Sequence, residues 1–91
     1  MERLIITAKE IKKKVNENIK GKSIEFNNKN NLMAVHEDDY YYLGCRDKDV
    51  AVALYTNEKP PQIVVIDGNV GNKIEDVKKE RIKEIAEILG F

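Results

Sequence analysis

Residues 35–45, VHEDDYYYLGC, place one histidine, three carboxylates, three consecutive tyrosines and the only cysteine of the chain in eleven positions. Such a set could support three kinds of chemistry. A Cys45/His36 pair would make an activated thiolate nucleophile, which needs the two side chains within hydrogen-bond reach. His36 with Glu37, Asp38 and Asp39 would make a metal site, although their spacing matches no recognised ligand pattern. Exposed tyrosines would stack nucleobases if flanked by cations, or contact another protein.

Three further sets carry chemical potential. Asp67 closes the apolar run IVVID, and Asp47 or Asp49 could reach the same sheet end, which would give a divalent-metal site. Solvated turn acids are the plainer explanation, because Asp-Gly is a common turn pair. DGNVGNK sets two glycines ahead of a helix, but it matches neither phosphate-loop pattern, and Glu75 and Asp76 already occupy the expected first turn. A plain loop is expected there. Lys9, Lys12, Lys13, Lys14 and Lys20 line a helical stretch and could meet phosphates, though a solvated lysine face is the ordinary explanation.

The elements that must position these residues follow from periodicity. TAKE at residues 7–10 is a capping-box pattern, and Ala8, Ile11, Val15 and Ile19 form one apolar stripe before Gly21, which predicts a helix from Ala8 to about Lys20. Ile74, Val77, Ile82, Ile85, Ala86, Ile88 and Leu89 repeat at helical spacing ahead of Gly90, which predicts a second helix over residues 74–89. Between them SIEF, LMAVH, YYYLGC, VAVALYT and QIVVID are short and β-branched or aromatic, separated by polar turns. RLII ahead of the first helix could add a sixth strand. The expected class is therefore α+β: an antiparallel meander of about five strands flanked by an N-terminal and a C-terminal helix, in a single domain over residues 1–91.

Register decides which side chains share a face. With EDD as a three-residue loop and RDKD as a four-residue one, His36 opposes Tyr40, Met33 opposes Leu43, Cys45 opposes Val50 and Tyr40 opposes Tyr55. One face then collects Met33, Val35, Tyr41, Leu43, Cys45, Val50, Val52 and Leu54 as a core. The other collects His36, Tyr40, Tyr42 and Tyr55 among Ala34, Gly44, Ala51 and Ala53. Under this register Cys45 and His36 point to opposite faces, so a buried, inert thiol and an exposed, non-catalytic histidine are expected. A slip of one residue would exchange the sets. The two acidic turns lie roughly 20 Å apart along the strand and cannot share a metal. QIVVI, apolar on both faces, suggests that part of the second face is covered, by the chain's own helix ahead of a second copy or a foreign partner.

Composition fits a globular chain: 91 residues, 42% hydrophobic and 35% charged, with 16 basic and 16 acidic side chains. The balance is uneven along the chain. Residues 1–35 carry eight Lys/Arg against four Asp/Glu, residues 36–67 three against seven, and residues 68–91 five of each. A single cysteine forms no internal disulfide, the N-terminus lacks the apolar core of a signal peptide, and no run approaches the roughly 20 apolar residues of a membrane span. A reducing cytoplasm is the expected setting. Thirteen lysines against three arginines, with eleven isoleucines and nine asparagines, suggest a bacterial or phage gene of low GC content.

The functional expectation is a small non-enzymatic protein-interaction or regulatory module, such as an inhibitor from a phage or mobile element. It would act through His36, Tyr40, Tyr42, Tyr55, Glu37, Asp38 and Asp39 on a protein partner or a second copy, without a cofactor and without a membrane. Two alternatives stand beside it. One is a nucleic-acid-associated protein using the five lysines, disfavoured at the tyrosines by their acidic flanks; the other is a metal-assisted enzyme at Asp67 with Asp47 or Asp49.

Overall fold

The computed structural model describes residues 6–91. The expected strand over RLII falls almost wholly on residues outside those described; its last residue, Ile6, lies in a bend and is fully buried. Helix α1 spans Ala8–Ile19. Its start follows from the cap, because Thr7 is extended and its Oγ1 accepts from the Glu10 amide at 3.2 Å. It stops where Lys20 (φ +48°) and Gly21 (φ +87°) turn left-handed.

Six strands follow: β1 (Ile24–Asn27), β2 (Leu32–Glu37), β3 (Tyr40–Cys45), β4 (Val50–Tyr55), β5 (Gln62–Asp67) and β6 (Val70–Lys73). They form one antiparallel sheet in the order β1-β2-β3-β4-β5-β6, each strand pairing with the next in sequence. A 3₁₀ turn at Ile74–Asp76 leads to helix α2, Lys79–Leu89, which ends at a left-handed Gly90 whose amide reaches back to Ala86 and Glu87. Both helices lie on the same face of the sheet. Ile11, Val15 and Ile19 of α1 and Ile82, Ile85, Ala86 and Leu89 of α2 meet Leu32, Ala34, Leu43, Cys45, Val50, Val52, Leu54 and Val65 in one cluster. Each fully buried aliphatic side chain there contributes about 1.5–3 kcal/mol.

The structure corrects the sequence-based expectation in three places. Among the described residues the sheet has six strands, not five: β6 arises within DGNVGNK, expected as a loop. Gly68 at φ +65° turns β5 back through a two-residue connection, and β6 is held by pairing with β5 rather than by an apolar pattern of its own. The second helix begins at Lys79 rather than Ile74. Ile74 is buried as an anchor in the 3₁₀ turn, Val77 is extended, and Lys78 at the N-cap makes no side-chain cap.

The third correction concerns register. The loop between β2 and β3 has two residues, so Glu37 pairs with Tyr40, His36 with Tyr41, Ala34 with Leu43 and Leu32 with Cys45. Asp38 takes φ +49° to close this turn, a conformation aspartate tolerates better than most side chains. The β3–β4 pairing follows the expected four-residue loop, with Cys45 opposite Val50 and Tyr40 opposite Tyr55. Relative to β3, every side chain of β2 is therefore on the face opposite to the expected one. Leu32 and Ala34 enter the core, and Met33 and Val35 leave it.

The outer face of the sheet as candidate interaction site

With the helices on one side, the other side of the sheet is read directly from the pairing. Three rows cross it. Phe26, Met33, Gly44, Ala51, Ile66 and Gly71 form the row nearest the β3–β4 loop. Ile24, Val35, Tyr42, Ala53, Val64 and Lys73 form the middle row. Glu37, Tyr40, Tyr55 and Gln62 form the row nearest the β2–β3 turn. Gly44, Ala51 and Ala53 are small, the Tyr42 ring covers Gly44, and Phe26, Met33 and Val35 on one side and Val64 and Ile66 on the other stand as shoulders.

The tyrosines of YYYLGC divide by parity. Tyr40 and Tyr42 point outward with Tyr55, their rings 6.4 Å apart for Tyr40–Tyr42 and 5.2 Å for Tyr40–Tyr55. Tyr41 points to the helix face, where His36 stacks on it at 3.9 Å and bonds Asn16 of α1 through Nδ1 at 3.2 Å. His36 thus leaves the set expected to contact a partner, as a direct consequence of the two-residue turn. It also shares the face of the buried Cys45, contrary to expectation. The two residues nonetheless sit four positions apart along the ladder, roughly 13 Å, too far for a catalytic pair.

Tyr42 lies along its own strand over Gly44: a Cβ on that glycine would meet the phenol oxygen at 2.5 Å. Beside it Met33, Gly44, Ala51, Arg46, Asp49 and Ile66 line a hollow of about 300 Å³. At the opposite end, Glu37, Asp38, Asp39, Tyr40, Tyr55 and Asn57 line a second one of about 420 Å³. Burial pushes the Tyr40 phenol pKa up, with Tyr55 and Tyr42 adding to it, and burial followed by the Asp49 carboxylate does the same for Tyr42. Both therefore stay neutral at physiological pH.

No protein-family model, no curated protein and no solved structure matches this chain.

The other expected residues are placed separately. Asp67 is held by Arg81 of α2 in a bidentate pair, Nε–Oδ2 at 2.7 Å and Nη2–Oδ1 at 2.8 Å, which keeps its carboxyl below the usual carboxylate range. Asp47 accepts from the side-chain amide of Asn31, and Asp49 lies beside the Gly68 turn. Among the described residues no group of three or more His, Cys, Asp or Glu side chains is arranged to hold a metal ion. Lys14 is half-buried with its amine at Gly90, at the negative end of α2. Lys9, Lys12 and Lys13 are exposed on α1, which also exposes Glu10 and Glu17, and Lys20 is exposed at its C-cap. No helix of the described residues is long and apolar enough to cross a membrane.

Sequence reasoning placed Tyr40, Tyr42, Tyr55, Gly44, Ala51 and Ala53 on one face, and the structure brings these six together. It missed the shoulders. Ile24 and Phe26 carried a signal in the alternation of SIEF, and Val64 and Ile66 in the two-sided apolarity of QIVVI. Met33 and Val35 carried none, since LMAV is apolar at both parities.

Proposed function

We propose that this chain is a small, non-enzymatic protein-binding module that acts through the outer face of its sheet. One observation carries the reading. Of the four large hydrophobic side chains exposed among the described residues, three, Ile24, Met33 and Tyr55, stand on that face, beside the half-buried Phe26, Val35, Tyr40, Tyr42, Val64 and Ile66. A sheet face is normally either covered or polar, and a contiguous apolar patch with a polar rim marks a contact surface. Tyrosine and methionine are enriched in the cores of protein interfaces, where tyrosine gives area at low entropic cost.

The rim favours protein over nucleic acid. Glu37, Asp38, Asp39 and Glu58 surround the tyrosine end, and four carboxylates there repel phosphate. Hydroxyl-radical footprinting, comparing the dilute purified chain with the chain in extract of its own cell, tests the reading. Oxidation of Met33, Tyr55 and Phe26 is expected to fall severalfold in extract while exposed helix residues react equally in both. Equal oxidation of the outer face in the two settings would overturn it.

A further inference from the structure

Resting on that reading, we infer that the occupant of the outer face is a second copy of the chain, docked face to face about a two-fold axis that runs across the strands. The two sheets stack as a sandwich with the helices outside. Three features of the face point to this arrangement.

The first is relief. The tall residues of the two central strands, Tyr40 and Tyr55, stand at one end, and the small ones, Gly44 and Ala51, at the other. A two-fold axis across the strands keeps β3 over β3 and β4 over β4 but exchanges their ends. Tyr40 of one copy then stands at the Gly44 end of the other, against the Tyr42 ring that covers that glycine, and Tyr55 stands toward Ala51, beside the hollow of about 300 Å³. An axis along the strands would instead set tyrosines against tyrosines and hollow against hollow.

The second is charge. Glu37, Asp38, Asp39 and Glu58 rim the tyrosine end, where Lys59 is the only basic residue of the two loops, whereas Lys29, Arg46 and Lys48 stand at the other end beside Asp47 and Asp49. The same axis lays the acidic rim over those three cations; the alternative lays it on itself, which like charges oppose. With zero net charge, two copies have no overall repulsion to overcome.

The third is area. Six strands about 4.8 Å apart, with central strands of six residues, give a footprint of roughly 25 by 20 Å. That is about 500 Å² in projection, the same order as the roughly 800 Å² per partner of a standard interface, on a chain with 6248 Å² of accessible surface.

Molar mass by light scattering across a concentration series tests the inference. Twice the 10.5 kDa chain mass is expected, falling to the single-chain mass for Met33→Arg and Tyr55→Arg, whose positions are exposed and whose circular dichroism should be unchanged. Asp38→Lys with Asp39→Lys, and separately Arg46→Glu with Lys48→Glu, should each weaken the dimer at least tenfold at low salt, and mixing the two chains should restore it. A monomer at every concentration up to the millimolar range would overturn the second copy and leave the protein-binding reading to the footprinting test. A dimer indifferent to Met33→Arg and Tyr55→Arg would overturn the placement of the contact on this face.

Discussion

At the scale of single residues, Gly44 and Asp38 shape the face most. Gly44 is needed for the room its missing side chain leaves, since Tyr42 occupies the space a methyl group would fill. In Gly44→Ala the atom in conflict is the far end of a side chain, so the ring can swing outward while the strand remains. The β-propensity gained partly offsets the packing lost, and the net change in stability should stay within about 1 kcal/mol. The more telling effect is on Tyr42 itself. Burial is the largest cause of its raised phenol pKa, so in Gly44→Ala that pKa should move back down toward the ordinary tyrosine value, read by ultraviolet titration of Tyr42 with the other tyrosines replaced by phenylalanine. An unchanged Tyr42 titration would mean that the ring does not rest on Gly44. Asp38 acts differently, because its left-handed backbone sets a two-residue turn and thereby decides which half of β2 faces outward.

At the scale of elements, α2 is tied to the sheet by its apolar face and by Arg81 on Asp67. The pair is partly exposed, with side chains 35% and 43% accessible, so water screens it and its contribution is modest. Its pH dependence has a definite sign. Asp67 has a folded-state pKa below its unfolded one, so its contribution is complete above the unfolded value and is lost as pH falls through the folded value. Asp67→Asn should therefore be less stable than the parent near neutral pH, and the difference should shrink as acid protonates Asp67 in the parent. Denaturant unfolding at a series of pH values measures this, and a gap that widens in acid would contradict it.

How far each element can be read from the sequence depends on what fixes it. Helix α1 has both a cap at Thr7 and a single apolar stripe, and its bounds are legible. The β3–β4 hairpin is legible because RDKD leaves one natural pairing. The β2–β3 register is not, because LMAV offers an apolar side chain at either parity and the choice falls to the backbone of Asp38. Strand β6 is invisible because VGNK has neither alternation nor β-branched density, and it exists by pairing with β5. The start of α2 is obscured by Ile74 and Val77, whose helical spacing to Ile82 and Ile85 reflects two separate anchors rather than one stripe. The shoulders of the outer face share this cause: the residues sequence reasoning misassigned there, Met33 and Val35, are those whose register the turn decides.

At the scale of the molecule, the architecture is two layers where a sheet apolar on both sides would favour three. The helix side is closed by α1 and α2, and the other side carries tyrosines, methionine and isoleucine with an acidic rim at one end. The central claim is that this second side is where a second copy of the chain docks. A dilution series of the isotope-labelled chain by nuclear magnetic resonance tests it most directly. The Met33 methyl and the Tyr40, Tyr42 and Tyr55 ring resonances should move with concentration, while the Leu43, Val52 and Ile85 methyls and the Lys13 amide stay fixed. Shifts centred on α1 or on the β6 edge, or no shift at any concentration, would contradict the account.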